Sequence, residues 1–370
     1  LQSKSIAHVP SLKANHTIMS SKDQCVSSCD RAVFDRNGAR IVWVDVARGV
    51  AMLAILLFHT EMRYAEWDII PYTMYVENFL AVFFFVSGYL FVSPKRQFSL
   101  RGKLVSIAKR LVVPYVLFVS LMAVPKAYAH GDDLTLWSFL GGLVSGRASW
   151  FVSALIVVSL YYASVEHLLC RLVKSRGHVH DLLLTLFAVL PLCCVLPLHV
   201  DAASIPGVSA IAVLFVHAGR LYRQAESWID RRLETSALRK WLLMAFAVIV
   251  LFVLKSYEIC NDVNMTFYVV VIDSYPLFYA DTLLFCMLAV TVLKSIPYTF
   301  AVRPLVWVGA HSLVYYFVSG GVPIIVSRLM PPYDGTCYGL VLLAFMLVCL
   351  AASAITWVVY KFFPWAVGRW

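Results

Sequence analysis

The run from Ile41 to Met62, IVWVDVARGVAMLAILLFHTEM, is an apolar stretch interrupted by three ionisable residues, Asp45, Arg48 and His59. Charged or titratable groups at membrane depth are costly, so they face a bundle interior or a water-filled cavity and are functional candidates by default. Arg48 and His59 are 11 residues apart. At about 100° per residue, that spacing returns a helix to within roughly 20° of the same face, some 16 Å further along the axis. Asp45 precedes Arg48 by three residues, close enough for an ion pair on that face. One face therefore offers a fixed cation at one end and an imidazole at the other. The imidazole can act as a base or a nucleophile near neutral pH. Plainer roles fit the same residues: Arg48 snorkelling to the interface or neutralising Asp45, and His59 bonding across a helix bundle. An Arg and a His so placed also suit a proton-coupled transporter. Glu61 and Arg63 read as solvated flank.

The elements that must position these groups are membrane helices. Of the 370 residues, 61% are apolar and 14% charged, against about 45–50% and about 25% in soluble domains. Ten hydrophobic spans follow one another, over 41–62, 73–93, 111–128, 149–169, 181–198, 207–222, 241–256, 266–293, 304–328 and 338–363. Each is of the order needed to cross a hydrocarbon core of roughly 30 Å. The expected fold is an all-α polytopic bundle of about ten transmembrane helices, which excludes a soluble enzyme and a disulfide-stapled secreted domain. Pro276 is expected to break or tilt the long eighth span.

Residues 1–40 are polar and aperiodic and read as a mobile cytoplasmic tail; residues 41–370 read as a single membrane-embedded domain. With ten spans, 25 of the 31 basic residues fall on one side, among them Arg40, Lys95, Arg96, Lys109, Arg110, Arg220, Arg223 and Lys294. That side is expected to be cytoplasmic, with both termini on it. The net charge of +10 then records topology rather than a nucleic-acid partner. The nine cysteines show no CxxC pair and no His spacing for zinc, so no metal is expected. Cys260 and Cys337 both fall in expected outer loops, where a disulfide is chemically permitted.

VDVARG followed by LLFH, with Arg and His separated by ten residues in the first span, resembles the signature of the acyltransferase family 3 membrane proteins. FFFVSGYLF at 83–91, KRLVVPY at 109–115, WFVSALIVVSLYY from Trp150, LFVHAGRLY at 214–222 and WVGAHSLVYYF at 307–317 resemble later family motifs in order. The resemblance covers about residues 40–363. One departure is VSGG at 318–321, where family members often carry a His.

The resemblance implies transfer of an acyl group, usually acetyl, from cytoplasmic acyl-CoA to a hydroxyl of a sugar or polysaccharide at the cell surface, in a bacterial inner membrane. On that reading Arg48 pairs with CoA phosphate, Arg110 assists, and His59 acts as base or acyl acceptor. Arg147, Trp150 and Asp273 are candidates for the acceptor side, with Asp273 and Asp281 placed in span eight as possible partners of His59. A transporter or flippase of a lipid-linked sugar, and an N-acetyltransferase acting on a hexosamine amine, are the competing readings. No pair of matching broken spans in the two halves supports the first.

Overall fold

The computed structural model describes residues 41–91, 98–130, 135–173, 177–198, 204–335 and 337–369, with backbone alone over 124–130 and 195–198. The N-terminal tail and the basic residues Lys95, Arg96, Lys174 and Arg176 lie outside the described residues. The described chain is almost wholly helical. In order come α1 (Val42–Tyr64), α2 (Tyr72–Tyr89), α3 (Leu100–Ile107), α4 (Val113–His130), α5 (Leu136–Val144), α6 (Trp150–Leu172) and α7 (His178–Leu198). There follow α8 (Ile205–Glu234), α9 (Ala237–Cys260), α10 (Tyr275–Ser295), α11 (Arg303–Ala310), α12 (Ser312–Val318), α13 (Val322–Leu329) and α14 (Tyr338–Phe362). A two-stranded antiparallel hairpin, β1 (Met265–Thr266) with β2 (Val271–Ile272), separates α9 from α10.

By length and composition, seven helical stretches can cross a membrane: α1, the α3–α4 run through Ala123, α6 with the turn before it, α8, α9, α10 and α14. The α12–α13 pair, bent by 55°, makes an eighth if taken as one span. Among the described residues seven to eight spans are thus supported, and the expected count of ten is not confirmed. The expected span at 73–93 corresponds to α2, whose 18 residues include Thr73, Glu77, Asn78 and Ser87. That at 181–198 corresponds to α7, apolar over the described stretch His178–Cys194. The expected single span over 304–328 is divided into three, with Pro304 and Pro323 in the first turns of α11 and α13. Proline supplies no N–H and is tolerated there. The expected span over 266–293 is indeed broken next to Pro276, which stands in the first turn of α10 directly after the hairpin.

Two glycine crossings set the packing of the core. A Cβ on Gly88 would fall on the Val216 carbonyl, and one on Gly219 on the Phe85 carbonyl. Small residues thus let the α2 and α8 backbones touch, the usual device where lipid removes the hydrophobic drive between helices. The most buried of the spans, α8 also packs against α6 and α7. In contrast, α9 exposes Trp241, Phe246, Ile249 and Phe252 and buries only Glu258, an apolar flank fit for lipid. Cys260 and Cys337 are free thiols, so the disulfide permitted by sequence is not formed. Cys260 ends α9, which packs on α10 and α8, while Cys337 precedes α14, which packs on α1, α12 and α13.

Candidate active site

The rotation of α1 is fixed by backbone contact with α11. A Cβ on Gly309 would fall on the Asp45 carbonyl, and one on Gly49 on the Leu305 carbonyl. Asp45 is thereby fully buried, while Arg48 and His59 are each partly buried. The unbroken helix between them keeps the cation and the imidazole on one face, about 16 Å apart along the axis. Asp45 and Arg48 both have interaction partners. The His59 ring, by contrast, hydrogen-bonds to no described residue, and its ring neighbour is Phe58 at 5.6 Å.

Beyond His59 the end of α1 is pinned. Glu61, expected as solvated flank, is fully buried. Its Oε1 accepts from the Tyr338 hydroxyl at 2.5 Å and its Oε2 from the Ile70 N–H at 3.3 Å. The Tyr64 hydroxyl donates to the Pro331 carbonyl at 3.0 Å. Arg63 is exposed, as expected of a flank.

An aromatic run leads away from the same end. Phe58 meets Tyr72 at 5.0 Å, Tyr72 meets Tyr268 at 5.4 Å, and Tyr268 meets Trp150 at 6.2 Å between ring centroids. The Tyr72 hydroxyl is buried without a hydrogen-bond partner. Tyr268 belongs to the β1–β2 hairpin, held at the bundle because the buried Glu77 of α2 accepts from the Phe267 N–H at 2.7 Å. Phe267 then inserts among Phe84, Trp150, Phe215 and Phe278.

Asp273 is not inside a span. It is exposed at the base of this hairpin, where its Oδ2 accepts from the Asn264 backbone N–H at 2.8 Å and side-chain amide at 3.3 Å. Asp281 does lie in α10, and it pairs with Lys255 at 2.8 Å. Arg147 is exposed in a 3-10 turn, Arg147–Ser149, just before Trp150. His59, Trp150 and the hairpin carrying Asp273 thus share one end of the bundle.

Arg110 stands apart from that end. It is exposed on a π-helical turn, Ala108–Val112, between α3 and α4, a local widening frequent at functional sites. The C-terminal segment packs closely there: a Cβ on Gly368 would fall on the Lys109 carbonyl. Nearby in sequence, Lys103 caps the end of α2, donating to the Phe91 carbonyl at 3.1 Å with its ammonium 3.9 Å above the Phe91 ring.

A cavity of about 700 Å³ opens near the start of α1, lined by Val42, Trp43, Val46, Tyr89, Arg223 and Lys294 among others. Residues 42, 43 and 46 are turned at least about 120° away from Arg48 on the helix, so α1 lines this cavity mainly with the side away from Arg48 and His59, with Ile41, just before the helix, also on the wall. Its cations are already neutralised: Arg223 pairs with Glu226 at 2.9 Å, and Lys294 with Asp230 at 2.6 Å and Glu226 at 3.2 Å. Sequence reasoning gave this cluster only a topological meaning, because its carboxylates lie on α8, far along the chain from Tyr89 and Lys294.

No curated protein and no solved structure matches the chain. The acyltransferase domain family model, however, matches residues 41–361, taking in α1 with Asp45, Arg48 and His59, the hairpin and nearly all of α14. The protein belongs to this family, acyltransferase family 3, and is a membrane acyltransferase.

Proposed function

We propose that the protein moves an acyl group, acetyl in the simplest case, from acyl-CoA on the cytoplasmic side to a hydroxyl of a cell-surface or lipid-linked sugar. The observation that carries this reading is the α1 face, with Arg48 near one end and, near the other, an imidazole hydrogen-bonded to no described residue. Arg48, assisted by Arg110, holds the phosphates of the donor; a guanidinium's planar fork suits them. The pantetheine arm follows the helix, and the thioester meets His59.

The imidazole removes the proton of the sugar hydroxyl as its oxygen attacks the thioester carbonyl. The C–S bond breaks, and the departing CoA thiolate takes up the proton. In the covalent variant His59 receives the acyl group first and passes it to the hydroxyl. Phe58, Tyr72, Tyr268 and Trp150 support a carbohydrate acceptor, since aromatic rings pair an apolar face for stacking with polar edges. Arg147 and Asp273 flank the same end. Arg223 and Lys294, which line the cavity by the start of α1, are basic residues at the Arg48 end and support placing that end on the cytoplasmic side of an inner cell membrane.

The test is direct. Purified protein receives acetyl-CoA labelled in the acetyl group together with neutral sugars, free amino sugars or glycan extracts. Label on a sugar oxygen, released by mild alkali, supports the reading. Alkali-stable label on an amine instead favours an N-acetyltransferase. Sugar movement across vesicles without acyl transfer favours a transporter.

A further inference from the structure

We infer that α6, α7 and α8 enclose a metal site, of the kind that takes zinc or another divalent first-row ion, built from Glu166, Cys170 and His180. Glu166 and Cys170 stand four residues apart on α6 and so project from one face. His180 comes from the first turn of α7. One donor atom of each lies within 4.8 Å of the other two. The His180 Nε2 is 3.8 Å from the Glu166 Oε2, and the Cys170 Sγ is 3.8 Å from the Glu166 Oε1. Around a tetrahedral zinc with bonds of about 2.0–2.3 Å, donor atoms lie roughly 3.3–3.7 Å apart. The observed spacing thus needs only small side-chain adjustments.

A second observation points to a ligand. His180 is 1% exposed, yet neither ring nitrogen has a hydrogen-bond partner. A buried imidazole without partners is costly unless something occupies its lone pair. Its other nitrogen, Nδ1, faces the Asp181 Oδ1 at 3.6 Å, the carboxylate–histidine relation that orients metal-ligating histidines. Arg220 completes the surroundings, its Nη1 at 2.5 Å from the Glu166 Oε2 and its Nη2 at 3.8 Å from Asp181. One Glu166 oxygen serves the ion while the other keeps Arg220. With Glu166 and Asp181 ionised, Cys170 as thiolate, His180 neutral and Arg220 charged, a divalent ion brings the cluster to neutrality. Binding releases the thiol proton to solvent. The N, O and S donor set suits zinc better than magnesium or calcium. Glu166 is some 24 Å along α6 from Trp150, so the ion clamps α6 to α7 away from the aromatic run and does not depend on the acyl-transfer reading.

The test is metal content. Protein purified in detergent is stripped with chelator, exposed to zinc, desalted and analysed for metal. About one zinc per chain is expected to remain. His180→Ala and Cys170→Ser are each expected to lower this to about a tenth or less, while His167→Ala, on the same helix outside the cluster, retains it. Cobalt is expected to give a thiolate charge-transfer band in the wild type that Cys170→Ser lacks. Because serine is nearly the size of cysteine, that variant keeps the test valid if His180→Ala fails to fold. Wild-type protein that retains no zinc, or retention unchanged in both variants, overturns the site; the second result marks adventitious binding only.

Discussion

Replacing Gly309 with alanine tests how tightly α1 is held. The three nearest atoms to an added Cβ are the Asp45 carbonyl oxygen and carbon and the Gly49 nitrogen, all backbone of α1. None can rotate away, so the two helices must part by about 1 Å or more in an interior packed as densely as an organic crystal. Overpacking of this kind costs about 1–3 kcal/mol. Arg48 adjoins Gly49, so the separation also displaces the cation, and a misplacement of about 1 Å can slow a reaction roughly 100-fold. Thermal unfolding in detergent and acyl transfer on the same preparation read the two effects. Gly141→Ala is the control: it lies inside α5 with nothing within 4 Å of the new methyl, and helix propensity predicts a gain of about 1 kcal/mol. A Gly309→Ala protein that unfolds at the wild-type temperature would refute the backbone contact, whatever its activity.

His59→Gln is expected to stay folded and to lose about 10²–10⁴ in transfer rate with little change in donor affinity; near wild-type turnover would remove His59 from the chemistry. Arg48→Lys should raise the KM for acyl-CoA more than it lowers kcat, because a point charge cannot reproduce a two-pronged contact; an unchanged KM would detach Arg48 from the donor. Tyr338→Phe removes the hydroxyl that donates to the buried Glu61 and should destabilise by about 1–3 kcal/mol, read as a lowered unfolding temperature; an unchanged midpoint would mean that Glu61 finds another donor.

The Arg48–His59 pair is legible in the sequence because a charge inside an apolar helix is a local signal and helical spacing translates it into a shared face. What the sequence does not disclose is partnership across the chain. Glu61 lies at the edge of an apolar run and looks solvated, yet its donor, Tyr338, is 277 positions away. The run MTFYVVVI, at 265–272, is apolar enough to read as the start of a span, and periodicity cannot separate a short buried strand from a helix segment. It forms a hairpin because Glu77 takes the Phe267 N–H and Asp273 closes the base. The cluster of Glu166, Cys170 and His180 escaped notice for a related reason. Its donors come from two helices joined by a short connection, with no spacing that a zinc motif would show.

Several buried or partly buried ions are paired: Arg220 with Glu166, Lys255 with Glu258 and Asp281, and Lys294 with Glu226 and Asp230. Removing one member of a buried pair leaves the other charge uncompensated, at about 3–5 kcal/mol, so Arg220 and Lys255 with their carboxylates belong to the frame that ties α8 to α6 and α9 to α10. Two buried histidines outside α1 are paired in the same way: His217 lies between Tyr162 at 2.9 Å and Thr185 at 3.0 Å, and His311 bonds the Trp307 carbonyl at 2.6 Å. His59 differs from both in bonding to no described residue. In a bilayer a polar group without a protein partner is kept where water or a substrate supplies one. His180 shares that trait as the inferred metal ligand; at the His59 end the Tyr72 hydroxyl shares it too, so the unpaired polar groups beside the aromatic run mark the end of α1 that is left open for a substrate.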